Sequence, residues 1–267
     1  MAVDLDGTLL NSRKGVSEQD IDAINRALNA GKQVVFSTGR CMGEVRHLLP
    51  FIPKLRYVLC SGGACIYDVW EERTIAQRSM DRTAAERLLR ELENKDILTM
   101  IFTNGQAVIS QKDIDNMAHF QMPQYQEHFQ TYGLPVESVY QFYWEHRTPI
   151  EKINLFHTSK DAVDETAAML RGWPLTATRS EGTSLELTAK NTDKGTCLTD
   201  FCTRMQISLK DTIVIGDSAN DLCAMKKAGL SIAMGNAPED VKAACDAVVA
   251  DNDHCGVRDA VESHLLR

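Results

Sequence analysis

Met1-Ala2-Val3-Asp4-Leu5-Asp6-Gly7-Thr8-Leu9-Leu10 is the stretch on which the reading of the whole chain turns. A short apolar run delivers two aspartates, at i and i+2, into a glycine turn. If the run is a strand, that spacing sends Asp4 and Asp6 out on the same side. The carboxyl edge of an open α/β sheet is where such folds bind ligands. Two like charges this close are costly unless a cation or a shared proton relieves them. Gly7 lets the backbone turn sharply and approach a ligand. Asp and Gly are also ordinary turn residues, so the stretch alone leaves a plain surface turn open.

Outward from that turn, Ser17 caps a helix carrying Ile21, Ile24, Ala27 and Leu28, with Gly31 as its stop. Gln33 to Phe36 reads as a short buried strand ending in Ser37-Thr38-Gly39-Arg40. A second helix is expected through Met42, Val45, Leu48 and Leu49, closed by Pro50 and Pro53, before a strand at Tyr57 to Cys60. Strand, helix, strand, helix, strand is the rhythm of a parallel sheet with right-handed crossovers.

Around residue 80 the rhythm changes. Thr83-x-x-Glu86 reads as a capping box before a helix with Leu88, Leu89 and Leu92. Ile97 to Phe102 and Ala107 to Ser110 read as a hairpin about Asn104-Gly105. A strand at Ile153 to Phe156, a helix from Ser159, and strands at Leu175 to Thr178 and Ser184 to Leu187 follow. The block 82–184 is therefore expected to be an inserted α+β unit. From about 185 the doubly wound rhythm returns, with a strand at Thr212 to Ile215, a helix through Leu222 and Met225, and a strand at Leu230 to Met234. A helix from Pro238, a strand at Ala247 to Val249 and a last helix from about 256 complete it. The fold expected is α/β: a doubly wound parallel sheet from 1–81 and 185–267 with the insert between.

The chain has 267 residues, 29 basic and 37 acidic, for a net charge of -8. That balance argues against a nucleic-acid partner held by a general basic surface. No apolar run approaches the roughly 20 residues of a membrane helix. The first residues lack a signal peptide's basic and apolar regions, so a cytoplasmic protein without a membrane partner is expected. The eight cysteines form no C-x-x-C pair and no zinc spacing with the histidines, as reduced core residues would. His119, His128, His146 and His157 have no ligand spacing, and surface or satisfied polar roles are expected of them.

Three further segments match the opening aspartates in kind. In Ser37-Thr38-Gly39-Arg40, a hydroxyl, a glycine amide and a guanidinium precede a helix start, which suits a phosphate oxygen. Lys194-Gly195 opens a helix and adds a point charge for an anion. Gly216-Asp217-x-x-Asn220-Asp221 offers several oxygen ligands at one strand end, as a hard cation such as magnesium requires. Singly these are a turn, a solvated lysine and a helix cap. Four of them at successive strand ends of one sheet make coincidence a poor explanation.

Together, Asp4-x-Asp6-Gly7-Thr8, Thr38-Gly39-Arg40, Lys194 and Gly216-Asp217-x-x-Asn220-Asp221 resemble the four ordered motifs of the haloacid dehalogenase-like superfamily. The insert ahead of Lys194-Gly195 is similar to that of its Cof-type hydrolases with a C2 cap. The resemblance spans the chain and implies a magnesium-dependent phosphatase with a Rossmann-like core and a substrate-selecting cap.

Carried over residue by residue, it implies that Asp4 attacks phosphorus and Asp6 serves as acid and then base. Thr38 and Lys194 would hold phosphoryl oxygens. Asp4, Asp6 through its backbone carbonyl, Asp217 and Asp221 would form the magnesium site. Gly39, Arg40, Gly63 and Asn220 are expected beside the substrate.

Three residues precede Asp4 where the family usually has more, so either the first strand is short or the sequence starts downstream of the true beginning. Gly62 stands where the family often has Asn. Ala189-Lys190-Asn191 replaces Pro-x-Gly, and Asn tolerates the left-handed backbone this turn needs.

For the insert, Tyr140, Phe142, Tyr143 and Trp144 either pack on a substrate ring or fill its core. Arg179, Glu181, Thr183 and Ser184 either face a pocket or lie on an exposed loop. The function expected is hydrolysis of a small phosphate monoester, such as a sugar phosphate, through an aspartyl-phosphate. A phosphomutase of the same superfamily and a non-catalytic phosphometabolite-binding protein are the alternatives.

Overall fold

The structure is a computed structural model and describes residues 1–180 and 182–267. In chain order come β1 (Ala2–Val3), α1 (Glu18–Asn29), β2 (Val35–Ser37), α2 (Met42–Val45), β3 (Tyr57–Cys60), β4 (Cys65–Asp68) and β5 (Arg73–Gln77). The middle of the chain supplies α3 (Arg82–Leu92), β6 (Ile97–Thr103), β7 (Gln106–Ser110), α4 (Gln111–Asp115), α5 (Gln126–Tyr132) and β8 (Leu134–Val136). It continues with α6 (Val139–His146), β9 (Lys152–His157), α7 (Lys160–Met169), β10 (Leu175–Arg179) and β11 (Ser184–Ala189). The last part holds α8 (Lys194–Met205), β12 (Ile213–Gly216), α9 (Leu222–Met225), β13 (Leu230–Ala233), α10 (Glu239–Ala243), β14 (Ala247–Val248) and α11 (Gly256–Ala260).

Two compact units result, one of residues 1–39, 46–76 and 193–267, the other of 40–45 and 77–192. The first is built on an eight-stranded sheet of order β14-β13-β12-β1-β2-β3-β4-β5. Its pairs from β14 to β3 are parallel, and β4 returns antiparallel to β3. From β1 the chain winds outward on both sides, to β2 and β3 and to β12 and β13, so the strand order reverses beside β1. That reversal opens a crevice at the carboxyl ends of β1 and β12.

The sheet's face is closed by α8, whose Cys197, Leu198, Phe201 and Cys202 pack on Ala2, Val35, Tyr57, Leu59 and Ile66. Phe201 meets Tyr57 edge-on at 5.2 Å between ring centroids. Each large side chain buried this way stabilises by roughly 1.5–3 kcal/mol.

The second unit has a six-stranded sheet of order β10-β11-β9-β6-β7-β8. The β6–β7 turn has φ 52° at Asn104 and 72° at Gly105, the pair of positive values a two-residue hairpin needs. One face of the sheet presents Ile101, Val108, Ile153, Leu155, Leu185 and Leu187 to Leu88, Leu92, Val139, Tyr143 and Val163 of the helices. Tyr140, Phe142, Tyr143 and Trp144 belong to this core. The other face presents Leu98, Met100, Phe102 and Phe156 to Ile114, Met117, Phe120 and Phe129. Asn191 has φ 59°, so the turn after β11 takes the left-handed form expected of it.

Several expectations need correction. The second helix is one turn long and passes at Arg46–Phe51 into a 3₁₀ helix containing Pro50, because proline lacks the N–H a continuing α-helix requires. β4 and β5 were not expected; both are short, β4 following the Gly62-Gly63 turn and β5 a turn in which Glu72 takes φ 49°. The cap of α3 is Asp81, whose side chain accepts from the Ala84 amide, while Glu86 pairs with Arg82 and Arg147. The second unit runs over 77–192 rather than 82–184. Met80 hydrogen-bonds Ile150, and β11 pairs antiparallel with β9 and β10, which ties both flanks to that sheet.

The eight cysteines are free, with Cys41, Cys60, Cys65, Cys197 and Cys202 buried. Among the described residues no helix is long and apolar enough to cross a membrane.

Candidate active site

The end of β1 is fixed by its neighbour: the Asp4 amide donates to Ile215 of β12 at 3.1 Å, continuing the parallel ladder by one residue. Asp4 is thereby held at the crevice and is 5% exposed. Gly7 then turns the chain at φ 76°, and a Cβ there would come within 2.4 Å of Asp217 Oδ2. No other residue fits this close approach without displacing the carboxylate. Thr8 donates its hydroxyl to Asp217 Oδ1 at 3.1 Å. Sequence reasoning gave Thr8 no role, although it stands in the opening motif.

Lys194 is the first residue of α8, where a cation opposes the helix dipole. It is stabilised there by two carboxylates: Nζ donates to Asp4 Oδ1 at 2.6 Å and to Asp221 Oδ1 at 2.7 Å. The helix start is set by a capping box in which Asp193 accepts from the Thr196 amide and Thr196 accepts from the Asp193 amide. The spacing Asp193-x-x-Thr196 is the signal that finds this cap in the sequence. Gly63, at φ 96°, lies so close to the Asp193 carbonyl that a Cβ would meet it at 2.2 Å. That contact seats the first turn of α8 against the end of β3.

Asp221 is 1% exposed, and its other oxygen accepts from the amides of Asp217 and Ser218 at 3.2 and 3.1 Å. Asn220 accepts from the Ser218 hydroxyl at 2.8 Å, bracing the same loop. Carboxylate oxygens of Asp4, Asp217 and Asp221 lie within 4.8 Å of one another. Burial, together with the neighbouring aspartates, pushes Asp4 well above the usual carboxylate range and Asp217 up to about 6. Burial alone would depress Lys194, but Asp221 and Asp4 outweigh it and hold the ammonium above its ordinary value. Three carboxylates around one ammonium leave an excess of negative charge, and an all-oxygen donor set of this kind fits a hard divalent cation.

The Asp6 side chain stands outside this cluster and pairs with Lys14 at 3.0 Å, both partly exposed. Thr38 is 1% exposed, its amide bonded to Leu59 and its carbonyl to the Gly62 amide. Gly39 follows it directly. Asp4, Asp6, Thr38, Gly63, Lys194, Asp217, Asn220 and Asp221 thus all lie in the first unit.

Arg40 clusters with the second unit, as does Glu44 on α2. Glu44 is 3% exposed and accepts from the Cys41 amide at 2.8 Å and from His128 Nε2 at 2.8 Å. Burial would raise its carboxyl, but the His128 and Cys41 hydrogen bonds and the charge of Arg40 hold it below the usual range. Sequence reasoning missed this pair; the capping-box spacing Cys41-x-x-Glu44 was its one signal.

His157 is fully buried between Thr183 and Thr166, and His119 pairs with Asp96. Arg179 pairs with Asp164, Thr183 donates to the Phe120 carbonyl, and Ser184 meets Ser180. Glu181 lies outside the described residues.

The sequence family described as haloacid dehalogenase-like hydrolase matches residues 1–261. The chain is 29% identical over 291 aligned positions to the phosphatase YwpJ of Bacillus subtilis, covering 100% of this chain and 99% of that one. It is 30% identical to the 5-amino-6-(5-phospho-D-ribitylamino)uracil phosphatase YwtE of the same organism, over 96% of this chain and 94% of the other. The solved structure of a haloacid dehalogenase-like hydrolase from B. subtilis superposes with a TM-score of 0.87 at 27% identity, covering 98% of each chain.

Proposed function

The chain belongs to the haloacid dehalogenase-like hydrolase family, and from that premise we infer that it is a phosphatase of small phosphorylated metabolites, with Asp4 as its nucleophile and magnesium as its cofactor. The observation that carries this reading is Lys194, buried between Asp4 and Asp221 with Asp217 close by. A protein that only binds a phosphate has no use for three carboxylates at the same point. The relatives named above as phosphatases support the reaction class, and the ribitylaminouracil phosphate that one of them is named for is a small phosphate monoester.

In this reading the Asp4 carboxylate attacks phosphorus and forms an aspartyl-phosphate while the P–O bond to the leaving group breaks. Asp6, outside the carboxylate cluster, gives its proton to the leaving oxygen and then takes one from the water that hydrolyses the aspartyl-phosphate. Lys194 and Thr38 donate to the phosphoryl oxygens, where charge accumulates in the transition state. Gly39, Arg40 and Asn220 serve the substrate around them. Asp4, Asp217, Asp221 and the Asp6 carbonyl would hold the magnesium, which supplies the positive charge that lets an anionic nucleophile approach an anionic ester.

The test is phosphate release from p-nitrophenyl phosphate and a panel of phosphorylated metabolites, in magnesium and in EDTA. Release is expected only with magnesium, and Asp4→Asn is expected to lower it on the order of 10⁴-fold or more with the fold intact. A folded protein that binds magnesium yet frees no phosphate from any ester overturns the reading. Net interconversion of two phosphate esters without release would instead identify a phosphomutase.

A further inference from the structure

The chain that leaves Asp6 returns on itself before α1, with Leu10 opposite Val16 in an antiparallel bridge. The turn between them is braced from within. Asn11 Oδ1 accepts from the Arg13 and Gly15 amides, both at 3.0 Å, and the Asn11 amide donates to the Gly15 carbonyl at 2.8 Å. It is braced from the far end of the chain as well: Asn252 donates to the Leu10 carbonyl and Asp253 accepts from the Ser12 amide, each at 2.9 Å. Within this turn Lys14 takes φ 61°, a left-handed backbone that residues other than Gly, Asn, Asp and His seldom adopt. From there its Nζ lies 3.0 Å from Asp6 Oδ1.

Stability does not account for this arrangement. The two side chains are 52% and 37% exposed, and an ion pair so open to water contributes little. A left-handed lysine opposes folding and persists because the turn around it is over-determined. Asp6 stands outside the carboxylate cluster, yet its charge is felt there: after burial and Asp221, it is among the causes that push Asp217 up. Drawn the other way, its carboxyl adds no fourth anion to Asp4, Asp217 and Asp221.

We propose that Lys14 is a positioning residue, which holds the Asp6 carboxyl outside the cluster and on the side from which the alcohol departs. The proposal rests on the phosphatase reading above. In that reaction the P–O bond breaks, its electron pair stays on the leaving oxygen, and the Asp6 proton goes there. An alkoxide is a poor leaving group and needs the proton, whereas p-nitrophenolate leaves without it. A misplaced Asp6 therefore slows alkyl phosphates selectively. Because kcat/KM covers the steps up to release of the alcohol, the later hydrolysis of the aspartyl-phosphate does not enter the comparison.

The experiment measures kcat/KM for p-nitrophenyl phosphate and for whichever alkyl ester of the panel above is turned over fastest. Lys14→Gly removes the ammonium and suits the left-handed backbone. It is expected to lower the alkyl-to-aryl ratio on the order of tenfold or more, through kcat rather than KM, while its urea midpoint holds or rises. Lys14→Arg keeps the cation and is expected to recover most of the ratio. Asp6→Asn is expected to lower the ratio at least as far, and Lys14→Gly added to it to lower it no further, since Lys14 acts through Asp6. An unchanged ratio in Lys14→Gly of a working enzyme, or a further fall in the double variant, overturns this assignment alone. A wild-type protein inert toward every ester overturns the phosphatase reading and with it this one.

Discussion

The eight-stranded sheet gathers its site charges just beyond strand ends, whereas the six-stranded sheet carries Lys152 and Glu186 within its paired strands. In the first, Asp4 follows β1, Asp217 and Asp221 follow β12, and Lys194 begins α8, so each side chain is set by where an element stops. In the second, Lys152, Asn154 and Glu186 are set by the pleat and by register. The end-of-strand cluster draws on backbone amides as well: those of Asp217 and Ser218 both reach Asp221. Mid-strand amides are already spent in the ladder, so a polar side chain there must find its partner among other side chains or a ligand. Charge placed at strand ends can be crowded and still braced. Charge placed within the sheet must be balanced within itself, as Lys152 and Glu186 balance one another.

The two lysines give the largest contrast. Lys194→Met leaves Asp4 and Asp221 buried without their cation and is expected to cost about 3–5 kcal/mol of stability. Lys152→Met should cost less, because Glu186 is partly open to water and methionine keeps the contact with the Phe102 ring. Urea unfolding of the two variants measures this difference. Equal costs would mean that charge beyond strand ends is no more tightly held than charge within the sheet.

Gly7→Ala comes next. It places a Cβ on a backbone at φ 76° and against Asp217 Oδ2, at a cost of about 1–3 kcal/mol, with activity falling as Asp217 is pushed aside. Thermal unfolding and phosphate release together check it, since loss of stability with activity intact would show that Asp217 tolerates the shift.

A pH effect sharpens the view of the second unit. Burial depresses His157 below its ordinary value, with the Thr183 carbonyl opposing in part. The unfolded chain therefore takes up a proton at about pH 6.5 while the folded chain still resists it. Stability from this group is complete above that pH and is lost as the pH falls from there towards the folded value. His157→Gln can bond Thr183 and Thr166 without titrating, so its urea midpoint should drop less between pH 7.5 and 5.5 than that of the wild type. The same drop in both would remove His157 from the acid response.

The smallest expected effect concerns a helix start. Asp81→Ala is expected to cost about 1 kcal/mol through loss of the α3 cap. Thr83→Ala should stay within about 0.5 kcal/mol of the wild type. The reverse order would restore the capping box read from the sequence.

Much of the first unit was legible because its information is local. An apolar run ending in Asp-x-Asp-Gly, or in Gly-Asp with two more polar groups, announces a strand end and a loaded turn within ten residues. Thr38, Lys194 and Asp217 were singled out this way. Thr8 was in view without a role, because its partner Asp217 is 209 positions away. The second unit was harder. Its boundary at 77 rather than 82 depends on Met80 meeting Ile150, and its boundary at 192 on β11 joining β9 and β10. Glu44 and His128 lie 84 positions apart, and nothing near either one names the other. Asp81 and Thr83 are both good cap residues, and only the backbone at the helix start chose between them.

By itself the sequence determined the doubly wound core, the insert, the hairpin at Asn104-Gly105 and the polar groups gathered at the ends of β1, β2 and β12, because each depends on residues within one or two turns of chain. Tertiary structure alone decided that Lys194 bridges Asp4 and Asp221, that Gly7 must lack a side chain, and that Lys152, Asn154 and Glu186 share a sheet face with one amide unmet. Those facts depend on register and close approach between segments far apart in sequence, and hydrophobic periodicity carries no record of either.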